Sequence, residues 1–470
     1  MKIKRLFSLC SLAAVSMMSM HTSAASIDAA TARLAASEFV KQHATSLRML
    51  NATNGNGIKL AYTQRSSVEG NAYYVFNIAG GGWVIIAGDD RANQVLAYNT
   101  TGSLDMNALP SNTQAYLNLY KKQIESVQSY KGQIDVKALK APKRATTPAG
   151  PLLKNINWAQ QGPFNYQCPT YNGERSSVGC AGLAMSQIVN YWKYPTEMPA
   201  LAGYQNAYYY SQVPSLPART MDYSLIRDQY TTWTDAGSLA WVDGVTDEEK
   251  QEVAWLCRYC SQACVMNFSP DGSGSNVLKQ KNAFLTLGYS DNAKLVGIEA
   301  WPSRETWNTT DYTDEQWVAM MTEQLQAGRP LPYSMEDIGD GHAFVVDGVD
   351  AEGMFHVVWG WYGRGDGWFQ YGAFNVTVQN QYMEFNTALF MVIDLYPYEG
   401  YVIPGSEPQG KMGDVNNDGK VDTDDVSLII NYVLGKEAAG FNPDNADYNN
   451  DSKIDVDDVS AIIKMVLGMM

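Results

Sequence analysis

Apolar and polar positions divide the chain into stretches of different period. From Thr31 to Leu47, and again from Gln114 to Val127, apolar residues recur at three- and four-residue spacing, which predicts two amphipathic helices. Between them lie two apolar runs, Tyr73–Ala79 and Trp83–Ala87, joined by Gly80-Gly81-Gly82; this predicts a β-hairpin. Lys137 to Pro151 is basic, holds three prolines and has no apolar period, so it reads as an exposed linker open to proteolysis. Residues 151–400 mix helix and strand signals and are rich in Trp, Tyr and Gly. A polar stretch from Val402 to Lys411 then separates a tail in which two acidic loops each lead into an apolar helix, Val426–Gly435 and Val459–Gly468. At the other end, an apolar run from Leu6 to Met20 follows Lys2, Lys4 and Arg5 and ends in Thr22-Ser23-Ala24. That is the layout of a secretory signal peptide cut after Ala24 or Ala25, and the run is short for a membrane anchor. The expectation is an exported, soluble protein with no membrane span.

Charge changes this picture in one place. The chain has 470 residues, enough for about two to four domains. Its net charge is −15, and a nucleic-acid binder would show the opposite bias. Residues 401–470 hold 13 acidic and 5 basic residues, so more than half of the deficit sits in the tail. Export also matters for the cysteines. Without Cys10, which the signal peptide would remove, Cys168, Cys180, Cys257, Cys260 and Cys264 remain. An odd count leaves at least one thiol unpaired within the chain.

Cys180 is the candidate reactive thiol. From it onward, Leu183, Ala184, Ile188 and Tyr191 recur at helical spacing, with Ser176 and Ser177 as possible caps, so Cys180 stands at or near a helix N-terminus. The dipole and free N–H groups there stabilise a thiolate, which is what a nucleophilic cysteine requires. A small buried hydrophobe in a helix is the bland alternative. The middle block offers two histidines as a base. His342 opens the strand-like run Gly341–Gly348, whereas His356 lies inside the apolar run after Asp347-Gly348 and Asp350, where a hydrogen-bonded structural imidazole is commoner. His342 is therefore the expected base. Cys257, Cys260 and Cys264 share one helix face with no histidine near and read as small packed residues, with Cys168 as a possible disulfide partner.

The tail carries the most specific spacing. Asp414, Asn416, Asp418, Asp422 and Asp425 fall at loop positions 1, 3, 5, 9 and 12, with Gly419 at position 6 and the Lys420 carbonyl at 7. The pattern repeats as Asp447, Asn449, Asp451, Asp455 and Asp458, with Ser452 at position 6 and Lys453 at 7. Oxygen ligands at these intervals suit a hard cation that takes six to eight of them, so two calcium ions are expected. Ser452 in place of glycine makes the second site the weaker one, because a side chain in a left-handed turn costs on the order of 1–2 kcal/mol.

Several pieces together resemble the streptopain family of papain-like cysteine peptidases. They are Trp158–Asn165, Gly179-Cys180 with the helix through Tyr191, Gly341–Gly348, Trp359-Gly360-Trp361 and Asp366-Gly367, in the family's order. The resemblance implies an α+β fold: a two-subdomain papain-like peptidase, preceded by a small α+β prodomain and followed by a small all-α calcium-loop domain similar to a type I dockerin. The corresponding segments are 1–24 signal peptide, 25–150 inhibitory propeptide, 151–400 peptidase, 401–412 linker and 413–470 dockerin-like domain. It further implies Cys180 as nucleophile, His342 as general base and acid, and Gln160 as oxyanion-hole donor, with Gln161 as its rival. Protein or peptide substrates and a cohesin-like partner, on a scaffold or the cell surface, follow from the same likeness. One departure stands out. Family members commonly read Asn-Trp-Gly-Trp where this chain has Val358-Trp359-Gly360-Trp361, so Trp359 is the candidate that confines the imidazole by packing. Val358 also keeps open the alternative of a catalytically silent, calcium-dependent adhesion or scaffold-binding protein.

Overall fold

The structure is a computed structural model that describes residues 26–44, 52–53, 57–132, 134–135, 146–234, 237–298, 312–337, 340–373, 388–398, 400–401, 403, 413–416, 420–436, 440–448 and 453–467. The expected signal peptide, and most of both expected linkers, lie outside these residues. In chain order the helices are α1 (Ala29–His43), α2 (Ser111–Ser129), α3 (Cys180–Trp192), α4 (Asp247–Ala263), α5 (Val277–Thr286), α6 (Asp314–Gln326), α7 (Thr423–Val433) and α8 (Val456–Val466). The strands of the main sheets are β1 (Ile58–Arg65), β2 (Asn71–Ile78), β3 (Trp83–Ala87), β4 (Val95–Asn99), β5 (Lys294–Ile298), β6 (Leu331–Asp337), β7 (Asp340–Val349), β8 (Phe355–Val358), β9 (Gly367–Phe369) and β10 (Ala388–Ile393). The α+β expectation holds.

The chain divides into two compact units: 1–146 with 351–355 and 365–385, and 147–350 with 356–364 and 386–470. In the first unit the antiparallel order is β1-β2-β3-β4-β9. The predicted hairpin is β2–β3, closed at the pair Asn77–Trp83. Its runs are continuous rather than alternating because both faces are covered. Ala32, Ala36 and Val40 of α1 pack on the face bearing Tyr74, Phe76, Val84 and Ile86. Tyr73, Val75 and Ile85, which point the other way, are buried as well, and α2 packs on β2. Helix α1 starts at Ala29, capped by Asp28, whose carboxylate accepts the Thr31 N–H at 2.8 Å. The predicted end at Leu47 lies outside the described residues. Strand β9 joins this sheet through Trp368–Tyr98 and Phe369–Ala97, and the Tyr116 and Tyr120 hydroxyls both donate to the Gln370 carbonyl, at 2.9 and 2.6 Å.

In the second unit the strand order is β8-β7-β6-β10-β5. Helix α3 packs against β7 and against α4, and every residue of α3 except Cys180 and Tyr191 is buried. A helix apolar all round belongs inside a core. Its closest approach is at Gly182: a Cβ there would meet the Ser261 hydroxyl, and would stand 3.0 Å from the Ser261 Cα. Helix α4 is held at its start by a capping box, in which Thr246 and Glu249 each accept the other's backbone N–H. The tail has a small core of its own, formed by Val415, Ile429, Ala446, Val459 and Ile462.

The Gly182 crossing gives a test. Gly182→Ala would gain about 1 kcal/mol of helix propensity but force α3 and α4 apart, an overpacking cost of about 1–3 kcal/mol. The expected outcome is a lower thermal midpoint for the second unit, measured by differential scanning calorimetry; an unchanged or raised midpoint would contradict the packing account.

Candidate active site and calcium loops

Cys180 is the first residue of α3 and is partly exposed. The caps differ from expectation. Gly179, not a serine, is the N-cap, at φ 84°, and no side chain caps the helix. Only glycine fits, because a Cβ would stand 2.6 Å from the Met266 sulfur as well as straining the backbone. Ser177 is instead committed to a loop that sequence reasoning missed: its N–H donates to the Ser269 carbonyl at 3.1 Å, and its Oγ accepts the Ser273 N–H at 2.9 Å. The run Ser269–Ser275, dense in Gly and Ser, was the available signal. With no side chain taking them, the first N–H groups of α3 face the reactive position.

Gln160 comes close to this helix start. The Val178 N–H donates to the Gln160 carbonyl at 2.9 Å, and Ala159 bridges Trp361. Gln161 is exposed, and its carbonyl accepts the Phe164 N–H. His342 lies on β7, the strand against which α3 packs, opposite Met335 of β6. Trp359 is buried with its indole 4.6 Å, centroid to centroid, from Phe344, two residues along β7 from His342. Val358 is buried beside it in the core. His356 has the structural role expected of it: its Nδ1 lies 2.6 Å from Oδ1 of the fully buried Asp347, whose Oδ2 accepts the Leu153 N–H at 2.9 Å.

The other four cysteines are free thiols and buried, so the possible Cys168 disulfide is not formed. Burial pushes the Cys168 and Cys260 thiols up to about 12, and raises Cys257 and Cys264 as well. These groups stay neutral and inert at working pH.

In the tail, Asp425 and Asp458 are fully buried carboxylates. Asp425 accepts the Asn416 and Asp422 N–H groups at 3.2 and 2.9 Å, and Asp458 those of Tyr448 and Asp455 at 2.8 and 2.9 Å. Asp422 and Asp455 cap their helices in the same conformation, φ −143° and ψ −163°. Asp414 is buried, and its carbonyl accepts the Asn445 amide at 2.6 Å. Asp447, Lys420 and Lys453 are described, whereas Asp418, Asn449 and Asp451, with Gly419 and Ser452, lie outside the described residues. Among the described residues no three acidic, cysteine or histidine side chains gather as a metal cluster. The donor set nevertheless fits a hard cation: all-oxygen loops, each ending in a buried carboxylate whose charge needs compensation.

Residues 158–369 match the Peptidase C10 family, 24–124 the Spi protease inhibitor and 412–467 the dockerin type I domain. The chain is a cysteine peptidase, and residues 158–369 are its streptopain-like part. The peptidase is 26% identical over 329 residues to streptopain of Streptococcus pyogenes, covering 66% of this chain and 76% of streptopain. It is 26% identical over 315 residues to the thiol protease/hemagglutinin PrtT of Porphyromonas gingivalis, covering 64% of this chain and 34% of that protein. Among solved structures, a mutant fragment of prointerpain A from Prevotella intermedia superposes with a TM-score of 0.49 at 24% identity, covering 71% of this chain and 99% of the fragment. The peptidase thus carries an inhibitor-like module in front and a dockerin type I module, of a generally calcium-binding kind, behind. No helix among the described residues is long and apolar enough to cross a membrane.

Thiol reactivity tests the burial pattern. At pH 8 a thiol whose pKa is about 12 is only ~0.01% thiolate. Iodoacetamide applied to the native peptidase should therefore modify Cys180 alone, read by peptide mass mapping; comparable labelling of Cys168 or Cys260 would show that the helical core is open.

Proposed function

We propose that the chain is the secreted zymogen of a cysteine endopeptidase that hydrolyses peptide bonds in proteins, attached to a partner or surface through its calcium-dependent tail. The observation that carries this reading is the uncapped start of α3, with a partly exposed Cys180 beside Gln160. In this mechanism the Cys180 sulfur attacks the scissile carbonyl, His342 takes the thiol proton and then delivers it to the leaving amine, and water later releases the acyl group. The Cys180 N–H and the Gln160 amide hold the developing oxyanion, a contribution of roughly 3–4 kcal/mol per donor. Trp359, through its packing on Phe344, fixes the strand that carries His342. Residues 25–150 act as the inhibitory propeptide, released by a cut in the 137–151 linker, ahead of a peptidase spanning 151–400. Val358 in place of the family's Asn favours a second reading, a silent papain-like shell used for calcium-dependent binding.

Casein hydrolysis separates the two readings. Cys180→Ala should abolish activity and His342→Ala nearly so, with both variants folded by circular dichroism. More than a few per cent residual activity in Cys180→Ala would refute the nucleophile. Full-length protein should be latent and become active on cleavage in the linker; an uncut chain that digests casein at full rate would remove the propeptide role.

Residues 413–470, after the 401–412 linker, bind two calcium ions in this reading and present α7 and α8 to a cohesin-like partner. Asp414, Asn416, Asp418, the Lys420 carbonyl, Asp422 and Asp425 hold one ion. Asp447, Asn449, Asp451, the Lys453 carbonyl, Asp455 and Asp458 hold the other. Calorimetric titration of the full chain should give two sites, the weaker strengthened about tenfold by Ser452→Gly. Zero stoichiometry would end the calcium assignment, and two equal sites indifferent to that change would end the ranking.

A further inference from the structure

Strand β9 lies in the streptopain-like part of the chain but folds with the N-terminal unit, where it is the fifth strand, beside β4. The residues around it are held along their backbone. The Gln370 N–H donates to the Leu96 carbonyl at 2.9 Å, and the Tyr116 and Tyr120 hydroxyls donate to the Gln370 carbonyl. The Asn93 side-chain amide donates to the Gly372 carbonyl at 3.1 Å, and its backbone N–H to the Ala373 carbonyl at 2.7 Å. The Ala373 N–H donates to Gln123 Oε1 at 2.8 Å, and the Asn99 amide to the Asp366 carbonyl at 2.6 Å. All these partners lie between residues 93 and 123, in the stretch read as propeptide.

Side chains on both faces complete the fit. Trp368 stacks on Tyr98, with centroids 6.3 Å apart, and packs with Met354 on the core formed by α1, β2 and β3. Phe369 points to the other face, where it is buried against Trp83 and Tyr116, at 6.0 and 5.6 Å centroid to centroid. Neighbouring residues of one strand therefore fill two layers of the same sheet. Without β9, β4 would be a bare edge with apolar layers open on either side, the kind of edge that natural sheets cover. The Tyr116 and Tyr120 hydroxyls, both buried, would also lose the Gln370 carbonyl. Built from residues 26–135 alone, the N-terminal sheet is one strand short.

We propose that Gly367–Ala373 is the handle by which the propeptide grips the peptidase, with Trp368 and Phe369 as the residues that decide which peptidase it recognises. The inhibitor lacks a strand and the peptidase supplies it: backbone hydrogen bonds give affinity, and the two aromatic slots give specificity. This rests on the reading of residues 25–150 as the inhibitory propeptide.

The test uses the full-length chain carrying Tyr116→Phe with Tyr120→Phe. The pair lies outside the peptidase, keeps both rings and removes both hydroxyl donors to the Gln370 carbonyl. Hydrogen exchange in the Cys180→Ala background, read by mass spectrometry, reports the grip. The Gln370 and Ala373 amides should exchange about thirtyfold faster in the double variant, with α3 as protected as in the parent. With Cys180 intact, initial rates on a small peptide report latency. The leak of the uncut chain should rise by a similar factor, as the open population does, and the rate after linker cleavage should equal the parent's. Should the double variant not fold, Trp368→Ala is expected to give the same faster exchange and the same leak. Unaltered protection would overturn the handle. Faster exchange with unaltered latency would overturn it too, because the strand would then be held without restraining the enzyme. An uncut parent active at full rate would overturn the propeptide reading and the handle together, whereas a latent parent with unaltered variants overturns the handle alone.

Discussion

The crossing of α3 and α4 is the constraint on which the peptidase unit depends. A helix buried on nearly every side can expose only an end, and the end it exposes carries Cys180. Gly182 lets the α4 backbone come close, and Gly179 lets the chain enter over Met266. Ser261 joins the two, since its hydroxyl donates to the Val178 carbonyl at 2.9 Å. The Gln280 amide does the same from α5, donating to the Ala181 carbonyl at 2.8 Å. Packing and chemistry are therefore one problem here. The contacts that hold the core together also fix where the first N–H groups of α3 point.

Much of this was legible in the residues. The hairpin of the N-terminal unit followed from two apolar runs around three glycines. The helix after Cys180 followed from period. What was not legible depended on tertiary contact. Ser176 and Ser177 have the chemistry of caps, but a loop almost a hundred residues away takes Ser177, and the backbone at Gly179 takes the cap position. The Asp347–His356 pair spans a turn, and nothing in the spacing says that the carboxylate faces inward.

The two acidic loops show how repetition makes a reading safer. Each ends in an aspartate that caps its helix and, three residues on, a buried aspartate that accepts two backbone N–H groups. Identical backbone angles at the two caps mean that one local solution was used twice. The Tyr432–Phe441 stack, with centroids 4.2 Å apart, and the apolar contacts among Val415, Ile429 and Ile462 supply the little packing such a short segment can offer.

In the proposed zymogen, Asp347 bears on where the N-terminus of the released peptidase would settle. Its carbonyl accepts the Leu152 N–H at 2.8 Å and its carboxylate accepts that of Leu153, while Ala149 exchanges both backbone hydrogen bonds with Val349 at 2.8 Å. Residues 149–153 are thus part of the folded edge. Exopeptidases that nibble back a ragged end stop where the chain is hydrogen-bonded on both sides. In the proposed zymogen, cuts scattered upstream would be trimmed to the same boundary, with no single recognition sequence needed for a uniform product.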